Sequence, residues 1–241
     1  MEKVVAIWSS VNWQNLLALA WFLICFRGYT HYAIHKTRTT ASLASIMHLY
    51  RYDWMKRMLE RDNRIADMSL IANLERSVSF FASSTMLIVA GILTLMGTSE
   101  KALNLLHDLP LVQPSTQAEV ELKLLVMICL FVYAFFKFTW SLRQYGFCSV
   151  LIGGAPMPRD LSVSDKERQI LAARAAKICS MAANNFNFGL RSYYFGLALL
   201  GWFISPWLLM FSATLVVYVL YQREFRSSTL QELVTSDPSR I

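Results

Sequence analysis

His31 and His35, in the stretch "HYAIH", stand four residues apart and so share one face of a helix. That spacing can hold two metal ligands, or present one imidazole to a haem iron. A zinc site needs at least one further donor, and His48 and Asp53 are the local candidates; no H-E-x-x-H motif accompanies them. Two interfacial histidines beside Lys36 and Arg38 are the plainer reading, and no cofactor is expected.

A second constellation is acidic and amidic. Asp67, Asn73, Glu75 and Arg76 precede an apolar run whose opening is rich in hydroxyls, at Ser77, Ser79, Ser83, Ser84 and Thr85. The bland reading has those hydroxyls bonding back to their own helix. The sharper one makes a polar patch facing the inner end of a helix bundle. Asn184, Asn185, Asn187 and Arg191 form a third group at the mouth of another apolar run, "NNFNFGLRSYYFGLALLGWFISPW". Amides that leave water without a partner cost several kcal/mol each, of order 2–7. These must therefore bond to protein or line water. As glue they tie to the Asp67–Glu75 group, with Arg191 paired to one of its acids; alternatively both groups line an aqueous vestibule. Lys137 lies inside an apolar run, about one and a half turns from Arg143, close enough to snorkel outward. No nucleophile–base pair or paired-carboxylate motif stands out, so an enzyme ranks behind other classes.

The elements that must position these residues are set by hydropathy. The chain has 241 residues, 55% hydrophobic and 16% charged, where a soluble domain carries about a quarter charged residues. Four stretches approach the roughly 20 apolar residues that a spanning helix needs: 8–26, 78–97, 122–142 and 193–221. The first lacks a basic front end and a small-x-small cleavage site, so it is expected to remain as a span. The formal charge of +7 is unevenly distributed. Residues 27–77 hold nine Lys and Arg and residues 143–192 hold seven, whereas 98–121 hold one against four acids. Lys and Arg stay on the cytoplasmic side, which puts the two basic loops inside and both termini outside. The basic excess then needs no nucleic acid. Cys25, Cys129, Cys148 and Cys179 show no C-x-x-C spacing and read as reduced and structural.

Both basic loops are too long for turns and are expected to be helical. Ile46, Tyr50, Trp54, Met58, Ile65 and Met68 follow helical spacing, which suits an amphipathic helix at a membrane interface. Ser164 and Glu167 make a capping box that starts an alanine-rich helix running towards the last span. Small residues recur at seven-residue spacing at Ser83, Ala90 and Gly97, and again at Ala198, Ser205 and Ser212, with Gly201 between. Such stripes let helices approach closely in lipid, so the second and fourth spans are expected to be neighbours. Pro206 predicts a kink inside the fourth. The third is bulky.

Three stretches carry a resemblance: "YDWMKRMLERDNRIADMSLIANLERSVSFFASSTMLIVAGIL" (52–93), "GLRSYYFGLALLGWFISPWLLM" (189–210) and "YQREFRSSTL" (221–230). Over about residues 27 to 230 the chain resembles the bacterial and plant membrane family called domain of unknown function 599. The resemblance implies an integral membrane protein and brings no activity.

The expectation is an all-α, polytopic membrane protein: a single domain over 1–230 with four spans and two helical cytoplasmic loops, then a short tail at 231–241. It lies in the inner membrane, surrounded by lipid, as a homo-oligomer. The favoured role is a self-associating scaffold whose cytoplasmic layer docks another protein. The alternative is a small oligomeric channel or transporter with a polar cytoplasmic vestibule.

Overall fold

The computed structural model describes residues 12–37, 39–98 and 116–235. Among them every regular element is an α-helix: α1 (Trp13–Lys36), α2 (Leu43–Leu59), α3 (Ile65–Gly97), α4 (Gln117–Gly153), α5 (Asp165–Ile204), α6 (Pro206–Phe225) and α7 (Ser228–Thr235). Three of them, α1, α3 and α4, are long and apolar enough to cross a membrane. The start of the first expected span, at 8–11, and the acidic loop over 99–115 lie outside the described residues.

Local chemistry sets the helix ends. Ser164 Oγ accepts from the Glu167 N–H at 3.3 Å while Glu167 Oε2 accepts from the Ser164 N–H at 2.9 Å, which is the expected capping box. From there α5 runs for 40 residues. The amphipathic helix expected across 46–68 is instead two helices. It breaks over Glu60–Arg64, where Asn63 Oδ1 accepts from the Ile65 N–H at 2.9 Å and so begins α3. Ile65 and Met68 consequently sit on the exposed face of α3. Helix α1 overruns its expected end at residue 26 by ten residues and takes His31 and His35 with it. Cys148 and Cys179, from the second basic loop, are buried within α4 and α5.

The run at 193–221 is not one kinked span. Helix α5 stops at Ile204 and α6 starts at Pro206. Ser205 is the hinge. Its Oγ accepts from the Trp207 N–H at 3.3 Å and its carbonyl from the Leu209 N–H at 3.2 Å, so it caps a new helix with proline at the first position. The chain then reverses, since Ser212 Oγ donates to the Ala198 carbonyl at 3.1 Å across the turn. A Cβ on Gly201 would lie 3.1 Å from Leu208 Cγ and 3.4 Å from Ser212 Oγ. Ala198, Gly201 and Ser212 thus face one another within this hairpin. Ser83, Ala90 and Gly97 are exposed on α3.

The helices pack as two compact units. The first comprises Met1–Lys36, Thr85–Ala134 and Leu190–Gln222; the second comprises Thr37–Ser84, Phe135–Gly189 and Arg223–Ile241. Helices α3, α4 and α5 contribute to both, as does α6 through its last three residues. One packing rule serves α4 and α5 in each unit. Phe131, Phe138, Tyr145 and Ile152 form a buried heptad row on α4; Ala175, Ala182, Gly189 and Gly196 form a buried heptad row of small residues on α5. In the first unit a Cβ on Gly196 would come within 2.7 Å of the Phe131 ring, and in the second a Cβ on Gly189 would overlap the Phe138 ring. Large side chains therefore seat on bare backbone, and the shared seven-residue period keeps the helices in phase. Phe22, Phe26 and Phe195 extend the first unit's core by edge-on contacts, with Phe195 5.3 Å from Phe26 and 5.7 Å from Phe22. In the second unit α7 packs against α2. Of the expected tail at 231–241, only the part up to Thr235 is described, within α7; residues 236–241 lie outside the described residues.

Candidate functional site

Among the amides and charges, Asp67 stands in the first turn of α3. It is fully buried. Its Oδ1 accepts from Trp54 Nε1 at 2.7 Å and from Arg61 Nη1 at 2.6 Å, both in the second unit. Arg64, in the break between α2 and α3, donates to the carbonyls of Ala155 at 2.7 Å and Pro156 at 2.6 Å. These carbonyls follow the C-terminus of α4, where backbone carbonyls lack N–H donors within the helix. Arg64 therefore supplies the donors and fixes the break to the end of α4. Asp67 Oδ2 and Arg64 Nε are buried without a hydrogen-bond partner.

Asn73, Glu75 and Arg76 lie about two turns further along α3. Arg76 Nη1 donates to Asn73 Oδ1 at 3.5 Å on the open side of the helix. Glu75 and Arg76 line a surface groove of about 630 Å³ with Ser79, Ser83, Phe80 and Leu142. Ser77 and Ser84 donate to carbonyls four residues back, at 3.1 and 2.8 Å, so those two hydroxyls follow the bland reading.

Of the asparagines, Asn185 joins helices. Its Nδ2 donates to Gln144 Oε1 at 2.8 Å, and its Oδ1 accepts from Lys137 Nζ at 3.4 Å. Lys137 also lies 5.3 Å from the centroid of the Phe188 ring, so it is held within the second unit. Asn184 and Asn187 are exposed. The unit boundary falls after Gly189, which puts Arg191 in the first unit; its guanidinium stands 5.2 Å from the centroid of the Tyr29 ring. His48 on α2 pairs with Ser180 Oγ at 2.9 Å. Burial, followed by the charges of Lys177 and Arg51, lowers its pKa, so the imidazole is held neutral.

One polar network has no counterpart in the sequence reading. At the start of α1 and α4, Asn15 Nδ2 donates to Glu119 Oε1 at 2.8 Å, and Trp202 Nε1 donates to Asn15 Oδ1 at 2.9 Å. Glu119 Oε2 accepts from the Thr116 N–H at 3.2 Å, completing a capping box for α4. Lys123 lies one turn beyond Glu119, 5.9 Å from the centroids of the Trp202 and Phe203 rings. All four side chains are buried, with exposures of 6% for Asn15, 6% for Glu119, 3% for Lys123 and 1% for Trp202. The legible signals were Thr116 followed three residues on by Glu119, and a lysine four beyond that. Placing Asn15 and Trp202 against them requires the tertiary fold. Hydrogen bonds join the acid, the amide and the indole, with the Lys123 ammonium beside the indole ring, so the network holds three helix ends in register.

His31 and His35 are exposed on α1, and among the described residues no group of three or more His, Cys, Asp or Glu side chains is placed to hold a metal. No curated protein and no solved structure matches the chain. The profile of one family, described as "Protein of unknown function, DUF599", matches residues 17–229. That match takes in most of the chain, from α1 into α7, and the protein belongs to this family of unknown function.

Proposed function

We propose that the chain is a self-associating scaffold of the inner membrane, whose copies meet along α3 and whose basic helical layer docks a partner protein. The observation that carries this reading is the outward face of α3. Ala72, Ser79, Ser83, Ala90 and Gly97 recur there at intervals of seven, four, seven and seven residues, all exposed, beside the groove that holds Glu75 and Arg76. Small and polar side chains gain little from facing hydrocarbon, but they let a second backbone come close enough to pack and hydrogen-bond. In a two-fold contact the same patch meets itself, so Glu75 of one copy would face Arg76 of the other.

The internal networks favour a scaffold over a conduit. An aqueous path needs polar atoms left to water, whereas Asn15, Glu119 and Trp202 bond to each other and Asn185 bonds across two helices. The positive-inside reading puts the basic loops in the cytoplasm. With α6 folded back on α5, we count five passages, N-terminus outside and C-terminus inside.

The test is cysteine cross-linking in native membranes. Ala90→Cys oxidised with copper–phenanthroline should give a disulfide-linked dimer that wild type, with Cys129 exposed on α4, does not. An Ala90→Cys protein that stays monomeric under those conditions overturns association along α3.

A further inference from the structure

Helices α1 and α6, both in the first unit, leave an apolar groove of about 550 Å³ between them. Its walls include Trp21, Gly28, Tyr32, Val217 and Tyr221. Both of its ends are chemically distinct. At one end Trp21 Nε1 donates to Thr214 Oγ1 at 3.1 Å and closes the floor. At the other, Lys36 Nζ donates to Tyr32 Oη at 2.8 Å and Tyr221 Oη at 3.1 Å, which holds an ammonium over the opening by two neutral phenols. Between them no atom lies within 4 Å of where a Gly28 Cβ would stand.

The dimensions suit one kind of occupant. From Trp21 to Tyr32 the groove runs about 16 Å along the helix, at about 1.5 Å per residue. One leaflet of hydrocarbon is about 15 Å deep, half of a core of about 30 Å. The floor then lies near the bilayer midplane, and Lys36 lies one turn above the groove at headgroup depth on the side of the basic loops. Aromatic hydroxyls beside a lysine are what an interface at that depth carries.

We infer that this groove seats one acyl chain of an anionic phospholipid from the cytoplasmic leaflet, with the headgroup phosphate held at Lys36. The carrying observation is the coincidence of a leaflet-long apolar slot with the Lys36 ammonium at its headgroup end. The site is separate from the face of α3 and depends only on α1 crossing the bilayer.

Native mass spectrometry of the detergent-purified chain, titrated with phosphatidylglycerol or phosphatidylcholine of matched acyl chains, tests it. Wild type should keep phosphatidylglycerol at activation energies that strip phosphatidylcholine. Lys36→Gln should abolish that preference, and Gly28→Leu, which has room to be accommodated, should lower retention of both lipids by about tenfold, worth about 1.4 kcal/mol. Equal retention of the two lipids by wild type would overturn the role of Lys36. Unchanged retention by Gly28→Leu would overturn the groove. A lipid-free dimer that Gly28→Leu dissociates would assign the groove to a second copy instead. A chain recovered without membranes would remove the premise that α1 crosses the bilayer, a result distinct from each of these.

Discussion

Asp67 shows how much a buried carboxylate depends on which of its partners can reach water. Arg61 is 45% exposed, so after loss of the carboxylate its guanidinium turns to solvent at little cost. Trp54 is different, because its half-buried indole N–H donates to Asp67 Oδ1 and cannot swing out to solvent as a long arginine can. A buried donor left unmade costs about 1–3 kcal/mol. Asp67→Ala should therefore lower the stability of the solubilised protein by about that amount, and most of the loss should vanish when the same change is made in Trp54→Phe. A thermal-melting double-mutant cycle measures this; additive losses would show that the indole contact contributes nothing. Asp67 was legible in the sequence as one of a polar group with Asn73, Glu75 and Arg76 before an apolar run. Its partners were not. They depend on the break at Glu60–Arg64, which folds Trp54 and Arg61 back over the first turn of α3, and helical spacing alone runs straight through that break.

Between helices, the pairing of α4 with α5 sets the sharpest constraint. At Gly189 two effects oppose each other. Replacing glycine by alanine inside a helix favours folding by about 1 kcal/mol, but here the new methyl would overlap the Phe138 ring, itself fully buried. Overpacking of this kind costs about 1–3 kcal/mol, and Phe138 is enclosed by Phe81 and Phe186 at ring distances of 5.7 Å each, so it has little freedom to yield. The clash wins. Gly189→Ala should melt at lower temperature than wild type, whereas Gly146→Ala on α4, with nothing within 4 Å of its Cβ, should melt at the same temperature or higher. Equal behaviour of the two variants would show that the heptad seating is not what holds the helices together. Such pairing hides from sequence reading for a simple reason. Phe131 and Phe138 look like any bulky span, and Ala175, Ala182, Gly189 and Gly196 look like part of an alanine-rich helix; only together do they make knobs and sockets. The helix start at Ser164 with Glu167 was more legible, because a capping box acts on backbone a few atoms away, whereas Ser205 with Pro206 read only as a kink.

At the scale of the whole chain, the direction of α6 decides the topology. Hydropathy merges 193–221 into a single run, since Ser205 and Pro206 interrupt it without adding charge. A straight helix would put Ala198 and Ser212 about 21 Å apart at about 1.5 Å per residue; the observed 3.1 Å contact requires a reversal. Two further facts agree with it. Arg223 and Arg226 directly follow the apolar part of α6, where retained cytoplasmic charge is expected. Helix α7 then packs against α2, within the unit that carries most of the first basic loop. An outside tail would require α7 and α2 to touch through a bilayer, which the roughly 30 Å of hydrocarbon forbids. Paired reporter fusions make the distinction, with green fluorescent protein active only in the cytoplasm and alkaline phosphatase only outside it. Fusions after residue 235 should fluoresce and lack phosphatase activity, as should fusions at residue 170, while residue 108 should give the opposite pattern. Phosphatase activity after residue 235, with residue 170 still cytoplasmic, would mean that α6 does not return across the membrane, and the five-passage arrangement would fall with it.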